Sequence, residues 1–296
     1  MNKGLTALLI IVSLLLVSFI VSNILNIDNS KDIIQVIQIH GVISVDKDSS
    51  FTKSVISSSD IVKQIEEAGK NDNVKGIIVD INSPGGTVVG SQEIAEAIKN
   101  LNKTKYAVIR DVGASGGYWA ASAANKIYAS PVSITGSIGV ISSYLEFNKL
   151  FEKYGINYER LVSGERKDIG SPYRELTKEE KQLLQKKIDM VYDYFVRSVA
   201  ENRGLKYDYV STLATGEFYT GEEAKKLGLI DEFGNKQKAI EDMKKNLKLK
   251  EVQLKEAKEE TSLLELLSSL GAYNFGKGFA STLIENNLGN KLEIKV

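Results

Sequence analysis

Residues 106–124 read YAVIRDVGASGGYWAASAA, and this stretch decides the fold. Residues 106–112 are apolar and β-branched enough to form a strand. The glycines around Ser115 then turn the chain, and the alanine-rich remainder has helix composition through about residue 124. The same strand–turn–helix pattern occurs just upstream. Residues 75–82, KGIIVDIN, form the unbroken apolar run expected of a strand buried on both faces of a parallel sheet. SPGG at 83–86 breaks that run, and residues 89–101 follow as an amphipathic helix.

Working outward, residues 33–43, IIQVIQIHGVI, read as a strand, and SSSD at 57–60 supplies N-caps for a helix to about Gly69. Short strands are predicted at 126–129, 157–162 and 228–231. TKEE at 177–180 and TGEE at 220–223 are capping boxes. In each, the threonine can accept from the third helical amide while the glutamate reaches back to the cap. The first of these helices should run to Gly204, a good residue for a left-handed helix end. Strands alternating with helices predict an α/β fold with a largely parallel sheet. No internal repeat is visible.

Composition removes more chemistry than it adds. The 296 residues are 43% hydrophobic, and 38 Lys+Arg balance 38 Asp+Glu. A net charge of zero offers no support for a nucleic-acid surface. Without cysteine there can be no disulfide, thiolate nucleophile or cysteine metal site. His40 is the single histidine, so a two-histidine metal site is excluded. No metal or cofactor is expected.

Residues 5–25, LTALLIIVSLLLVSFIVSNIL, carry no charge. About 20 apolar residues span a bilayer core as a helix. Lys3 before the run favours a cytoplasmic N-terminus and an extracytoplasmic remainder. A cleaved signal peptide is the rival reading, but its apolar core is usually about 7–15 residues with small residues after it. The expected organisation is an anchor at 1–27, a catalytic domain at 28–246 and an appendage at 247–296.

GASGG at 113–117 fits G-x-S-x-G in the required strand-to-helix context. Ser115 would project from the sheet edge where ligands bind in open α/β folds. The following helix N-terminus, with the Gly116 amide, would favour a developing oxyanion. The bland alternative is a glycine turn that lets a small-residue helix pack on the sheet. NSPGG at 82–86 opens on the same edge, and Gly86 could donate a second amide. Serine needs a base. His40 lies inside a strand and precedes the serine, against the order of α/β-hydrolases. A lysine in an apolar pocket is the remaining choice, because desolvation disfavours its charged form. The residues alone do not say which lysine.

NSPGG at 82–86, GASGGYWAASAANKIYASPVSITGSIGVI at 113–141, SGERKDIGSPYRELTKEE at 163–180 and FYTGEEAKKLGLIDEFG at 218–234 resemble the signal peptide peptidase A family. The resemblance runs in order over residues 33–244. It implies a spiral of βαβ units like that of the Clp protease and crotonase group, and a Ser–Lys protease of membrane signal-peptide remnants. By matching motif positions, it implies Ser115 as nucleophile, Lys167 as base, Ser137 as the residue orienting that lysine, and Gly86 as an oxyanion donor. It further implies a ring-like homo-oligomer whose dyad is shared between subunits. Trp119 and Arg166 depart from the family pattern without removing a catalytic group. Competing expectations are a Ser–Lys protease of other membrane proteins and an inactive binding or scaffold protein of the same fold.

Overall fold

The computed structural model describes residues 12–14, 16–17, 32–46 and 55–256. The strands are β1 (Asp32–His40), β2 (Val42–Ser44), β3 (Val55–Ser57), β4 (Val74–Ser83), β5 (Thr104–Ala114), β6 (Lys126–Ala129), β7 (Ile134–Gly136), β8 (Phe218–Thr220), β9 (Glu232–Phe233) and β10 (Val252–Glu256). The helices are α1 (Ser58–Lys70), α2 (Val88–Asn100), α3 (Gly116–Ser122), α4 (Asn148–Lys153), α5 (Lys178–Arg203), α6 (Tyr207–Leu213), α7 (Gly221–Lys226) and α8 (Lys236–Asn246). The sheet runs β10-β1-β4-β5-β6-β9, all parallel. β7 adds to the end of β5, and β8 pairs antiparallel with β7.

This is the α/β fold that the alternating pattern predicts. β4 is buried on both faces because helices cover both. Ile77, Val79 and Ile81 pack with Ile65, Ile94 and Ile98 of α1 and α2 on one face. Ile78 of the same strand packs with Ile240 and Met243 of α8 on the other. The caps hold as read: Ser57 accepts from the Asp60 amide, and both capping boxes are formed.

α3 is short, and neighbouring packing stabilises it. Tyr118 donates to the Leu229 carbonyl at 2.8 Å. Trp119 stacks on Phe195 of α5 at 4.5 Å between centroids, and its indole N–H donates to Ser198 at 2.7 Å. Trp119→Ala is therefore expected to cost about 3–5 kcal/mol, read from the midpoint of denaturant unfolding. A loss under about 1 kcal/mol, the range of a well-tolerated core swap, contradicts this packing role.

The strand predicted at 157–162 is absent. Residues 137–177 contain α4 as their one helix and no strand. Tyr158 instead packs against Tyr173, and Leu161 is 96% exposed, so the apolar alternation has no sheet to join. At 228–231 the chain turns rather than extending. Leu229 and Ile230 are buried, but their amides bond to the Ala224 carbonyl at the end of α7. Pairing begins one residue later, at Glu232.

The sheet also extends beyond Leu247, since β10 pairs in register with β1 from Asp32–Val252 to Val36–Glu256. Among the described residues no helix is long and apolar enough to cross a membrane. The apolar run at 5–25 expected to do so lies outside them except for residues 12–14 and 16–17.

Candidate active site

Ser115 sits between the end of β5 and the start of α3 with φ 52° and ψ −121°. This is a disfavoured conformation for a side-chain-bearing residue, and such strain persists only where surroundings impose it. Two backbone bonds impose it here. The Ser115 amide donates to the Gly136 carbonyl at 2.8 Å, and its carbonyl accepts from the Trp119 amide at 2.9 Å. A serine at a helix start normally bonds its own helix. Ser115 makes no such side-chain bond, so its hydroxyl is available. A Cβ on Gly113 would meet the Ile109 side chain at 2.8 Å, and one on Gly116 would overlap the Ser91 hydroxyl.

The second glycine turn meets the first. Ser83 of β4 pairs with Gly113 of β5, and a Cβ on Gly85 would lie 2.6 Å from the Gly116 amide. Gly85 has φ +98°, which favours glycine. The Ile43 amide donates to the Gly85 carbonyl at 2.9 Å, and Thr87 donates to the Ile43 carbonyl at 2.8 Å. These two bonds form a parallel bridge opposite Gly86 in which the Gly86 amide takes no part. Gly86 is exposed, and a Cβ there would overlap the Ile43 carbonyl. The Gly116 amide belongs to the first turn of α3, where helices leave donors without internal partners. Two backbone donors thus flank the serine-bearing turn.

Ser137 follows Gly136, just as Ser115 follows Ala114, and Ala114 pairs with Gly136. Ser137 also has positive φ, 51°, and its hydroxyl donates to the Gly216 carbonyl at 3.2 Å. The paired strands therefore place the two strained serines side by side. Lys167 is not joined to them. It is exposed on a series of turns, with its amide donating to the Gly164 carbonyl at 3.0 Å and no bond to Ser115. His40 is occupied elsewhere. It lies 3.9 Å from Asp80, a carboxylate 1% exposed that Arg110 and Lys236 also approach at 3.4 Å.

Three supporting residues escaped the sequence reading, although all lie within quoted motifs. Asn82 accepts from the Val112 amide at 3.1 Å. Ser83 donates to the Gly41 carbonyl at 2.6 Å and accepts from the Gly85 amide at 3.1 Å. Thr135 donates to the Gly113 carbonyl at 2.8 Å. Each fixes a turn whose glycines lack side chains to anchor themselves.

The turn carrying Lys167 is tied down by charge. Arg160 and Arg174 each donate two hydrogen bonds to Asp168, at 2.7–3.0 Å. Arg174 also grips Glu180 at 2.7 and 2.8 Å. Hydrogen bonds from Arg160 and Arg174 hold the Asp168 carboxyl well below its ordinary range. Those from Arg174, and from the Thr177 amide, bring Glu180 down to about 2.

A depressed carboxylate stabilises the fold above its unfolded value, and that stability is lost as pH falls through the folded value. For Glu180 the window runs from about 4.3, the ordinary value, down to about 2. The fall in Tm between about pH 5 and about pH 2.5 is therefore expected to be shallower in Glu180→Gln than in the wild type. Parallel curves would contradict this.

A strained serine on a strand–helix turn, flanked by backbone donors, is the arrangement of a serine hydrolase on an α/β sheet. The chain is a serine protease and belongs to peptidase family S49, whose profile matches residues 97–250. A Clp protease profile matches residues 28–135. A Methanocaldococcus jannaschii protein named as a protease is 39% identical over 75% of this chain and 72% of its own length. An Enterococcus faecium protein named as a signal peptide peptidase, SppA, is 33% identical over 89% of this chain and 72% of its own. The chloroplastic serine protease SPPA of Arabidopsis thaliana is 35% identical over 85% of this chain and 38% of its own.

Proposed function

We propose that this serine protease is a membrane-anchored endopeptidase that degrades signal-peptide remnants through a Ser–Lys dyad. The observation that carries the reading is Ser115 itself, strained, free of its helix, and flanked by the turns of Gly86 and Gly116. In acylation, Ser115 Oγ attacks the scissile carbonyl while its proton passes to the free amine of Lys167. The carbonyl oxygen becomes an oxyanion facing the Gly86 and Gly116 amides. Collapse breaks the C–N bond, and the Lys167 ammonium returns the proton to the leaving amine. Water then attacks the acyl-enzyme with Lys167 again taking the proton. Collapse breaks the bond from the acyl carbon to Ser115 Oγ, and the Lys167 ammonium returns the proton to Oγ, which releases the peptide acid and restores Ser115. Ser137, beside Ser115, orients the amine.

Lys167 reaches Ser115 from a neighbouring copy. Two observations favour this. Ser115 and Lys167 share no bond within one chain, and the segment around Lys167 exposes large apolar side chains, with Ile141 at 94% and Leu161 at 96%. Large apolar side chains gathered on one exposed segment favour an interaction site there. Covering by a neighbour removes water and favours the free amine that the step needs. The apolar run at 5–25 supports the anchor, and the Clp protease match supports the spiral fold. The name carried by the Enterococcus relative suggests the substrate class.

The serine assignment is tested by treating the full-length protein with a fluorophosphonate and mapping the adduct by peptide mass spectrometry. The expected result is a single label on Ser115. Labelling elsewhere with Ser115 unmodified overturns it.

A further inference from the structure

We propose that Asp168 and Arg174 are positioning residues that set the backbone from which Lys167 works. The proposal rests on the reading of Lys167 as the base. Between β7 and α5 the sheet offers Lys167 no ladder, since residues 137–177 contain no strand. What holds its turn is local. Gly164 and Gly170, at φ +91° and +83°, bracket it. The Lys167 amide bonds to the Gly164 carbonyl and the Ser171 amide to the Asp168 carbonyl, each at 3.0 Å. Such turns on an exposed segment are weak unless something ties them to a rigid element.

The tie is Asp168. Consecutive side chains diverge here: Lys167 is exposed, whereas Asp168 is only 12% exposed beneath two guanidinium groups. Arg174 passes the restraint on, because the same guanidinium bonds Asp168 and Glu180 bidentately. Glu180 is the third residue of α5 and closes its capping box with Thr177. α5 in turn is buried through Phe195 against Trp119 of α3, the helix that Ser115 starts. A continuous set of contacts therefore runs from the nucleophile's helix to the residue next to the base. Arg160, Arg174, Asp168 and Glu180 carry two charges of each sign, so the quartet fixes the turn without adding net charge beside the amine. Bidentate guanidinium–carboxylate pairs are suited to this because they fix orientation as well as distance.

The test uses the full-length protein and an apolar peptide ester. A displacement of about 1 Å can cost up to about a hundredfold in rate, so Asp168→Asn is expected to lower kcat at least about tenfold with KM within about twofold. Arg174→Lys keeps the charge but loses the bidentate grip, and should lower kcat similarly. Asp168→Glu should recover part of the rate. In a Lys167→Ala background, Asp168→Asn should reduce the residual rate no further, because a positioning residue acts through the group it positions. An equal fold-loss in both backgrounds would mean a merely structural role and overturn the proposal. So would full activity of Asp168→Asn where Lys167→Ala is inactive. Full activity of Lys167→Ala would instead sink the dyad reading itself.

Discussion

Hydrolysis of an apolar peptide ester by the full-length protein is expected to fall about ten-thousandfold or more in Ser115→Ala, and by a comparable factor in Lys167→Ala. The two losses should be similar because nucleophile and base act in the same step, so removing either removes the step. The more telling result comes from co-expressing the two inactive variants. If the dyad is shared between subunits, a functional site needs Ser115 from the Lys167→Ala chain and Lys167 from the Ser115→Ala chain. Random mixing around a head-to-tail ring then restores about one quarter of the sites. If each subunit carries its own dyad, co-expression restores none. Recovery with the tagged variants purified together, measured per active subunit, separates the two. The expectation of recovery follows from Lys167 being exposed and unbonded to Ser115 within one chain, on a segment that also exposes Ile141 and Leu161.

The second large effect is expected at Gly86. A Cβ there would overlap the Ile43 carbonyl, a backbone atom held by the Thr87 amide at 2.8 Å and unable to yield as a side-chain end could. Gly86→Ala must therefore move the β4–α2 turn and swing the Gly86 amide away from its present direction. Loss of one oxyanion donor is expected to lower kcat by about a hundred- to a thousandfold. KM should change little, since the donor acts on charge that develops in the transition state. Gly116→Ala makes a useful contrast. Its Cβ would overlap the Ser91 hydroxyl, and Gly116→Ala combined with Ser91→Gly should recover part of the activity. No comparable rescue is available at Gly86, where the obstacle is main chain. Near-wild-type kcat in Gly86→Ala would remove it from the oxyanion site.

Much of this was legible because it is local. The capping boxes at Thr177 and Thr220 need only four residues, and both form as read. The double burial of β4 is written in its unbroken apolar run, since a strand facing solvent on one side would alternate. The misread elements fail for a shared reason. The pattern at 157–162 suits a strand, but a strand forms only where it pairs with another, and this segment pairs with none. At 228–231 the apolar residues are buried by side-chain packing while their amides bond back to α7, a choice that periodicity does not record.

The same division holds at the site. Sequence alone determined the elbow at Ser115, the second glycine turn and the absence of any histidine dyad partner other than His40, because residue types and glycine spacing carry that information. It determined the α/β class for the same reason. Only the tertiary structure decided that the two glycine turns touch, that Ser137 stands beside Ser115, that His40 faces Asp80, and that the turn carrying Lys167 is held through Asp168, Arg174 and Glu180. Those relations depend on strand register and on side chains meeting across long stretches of chain. Neither is encoded in the spacing of residues along it.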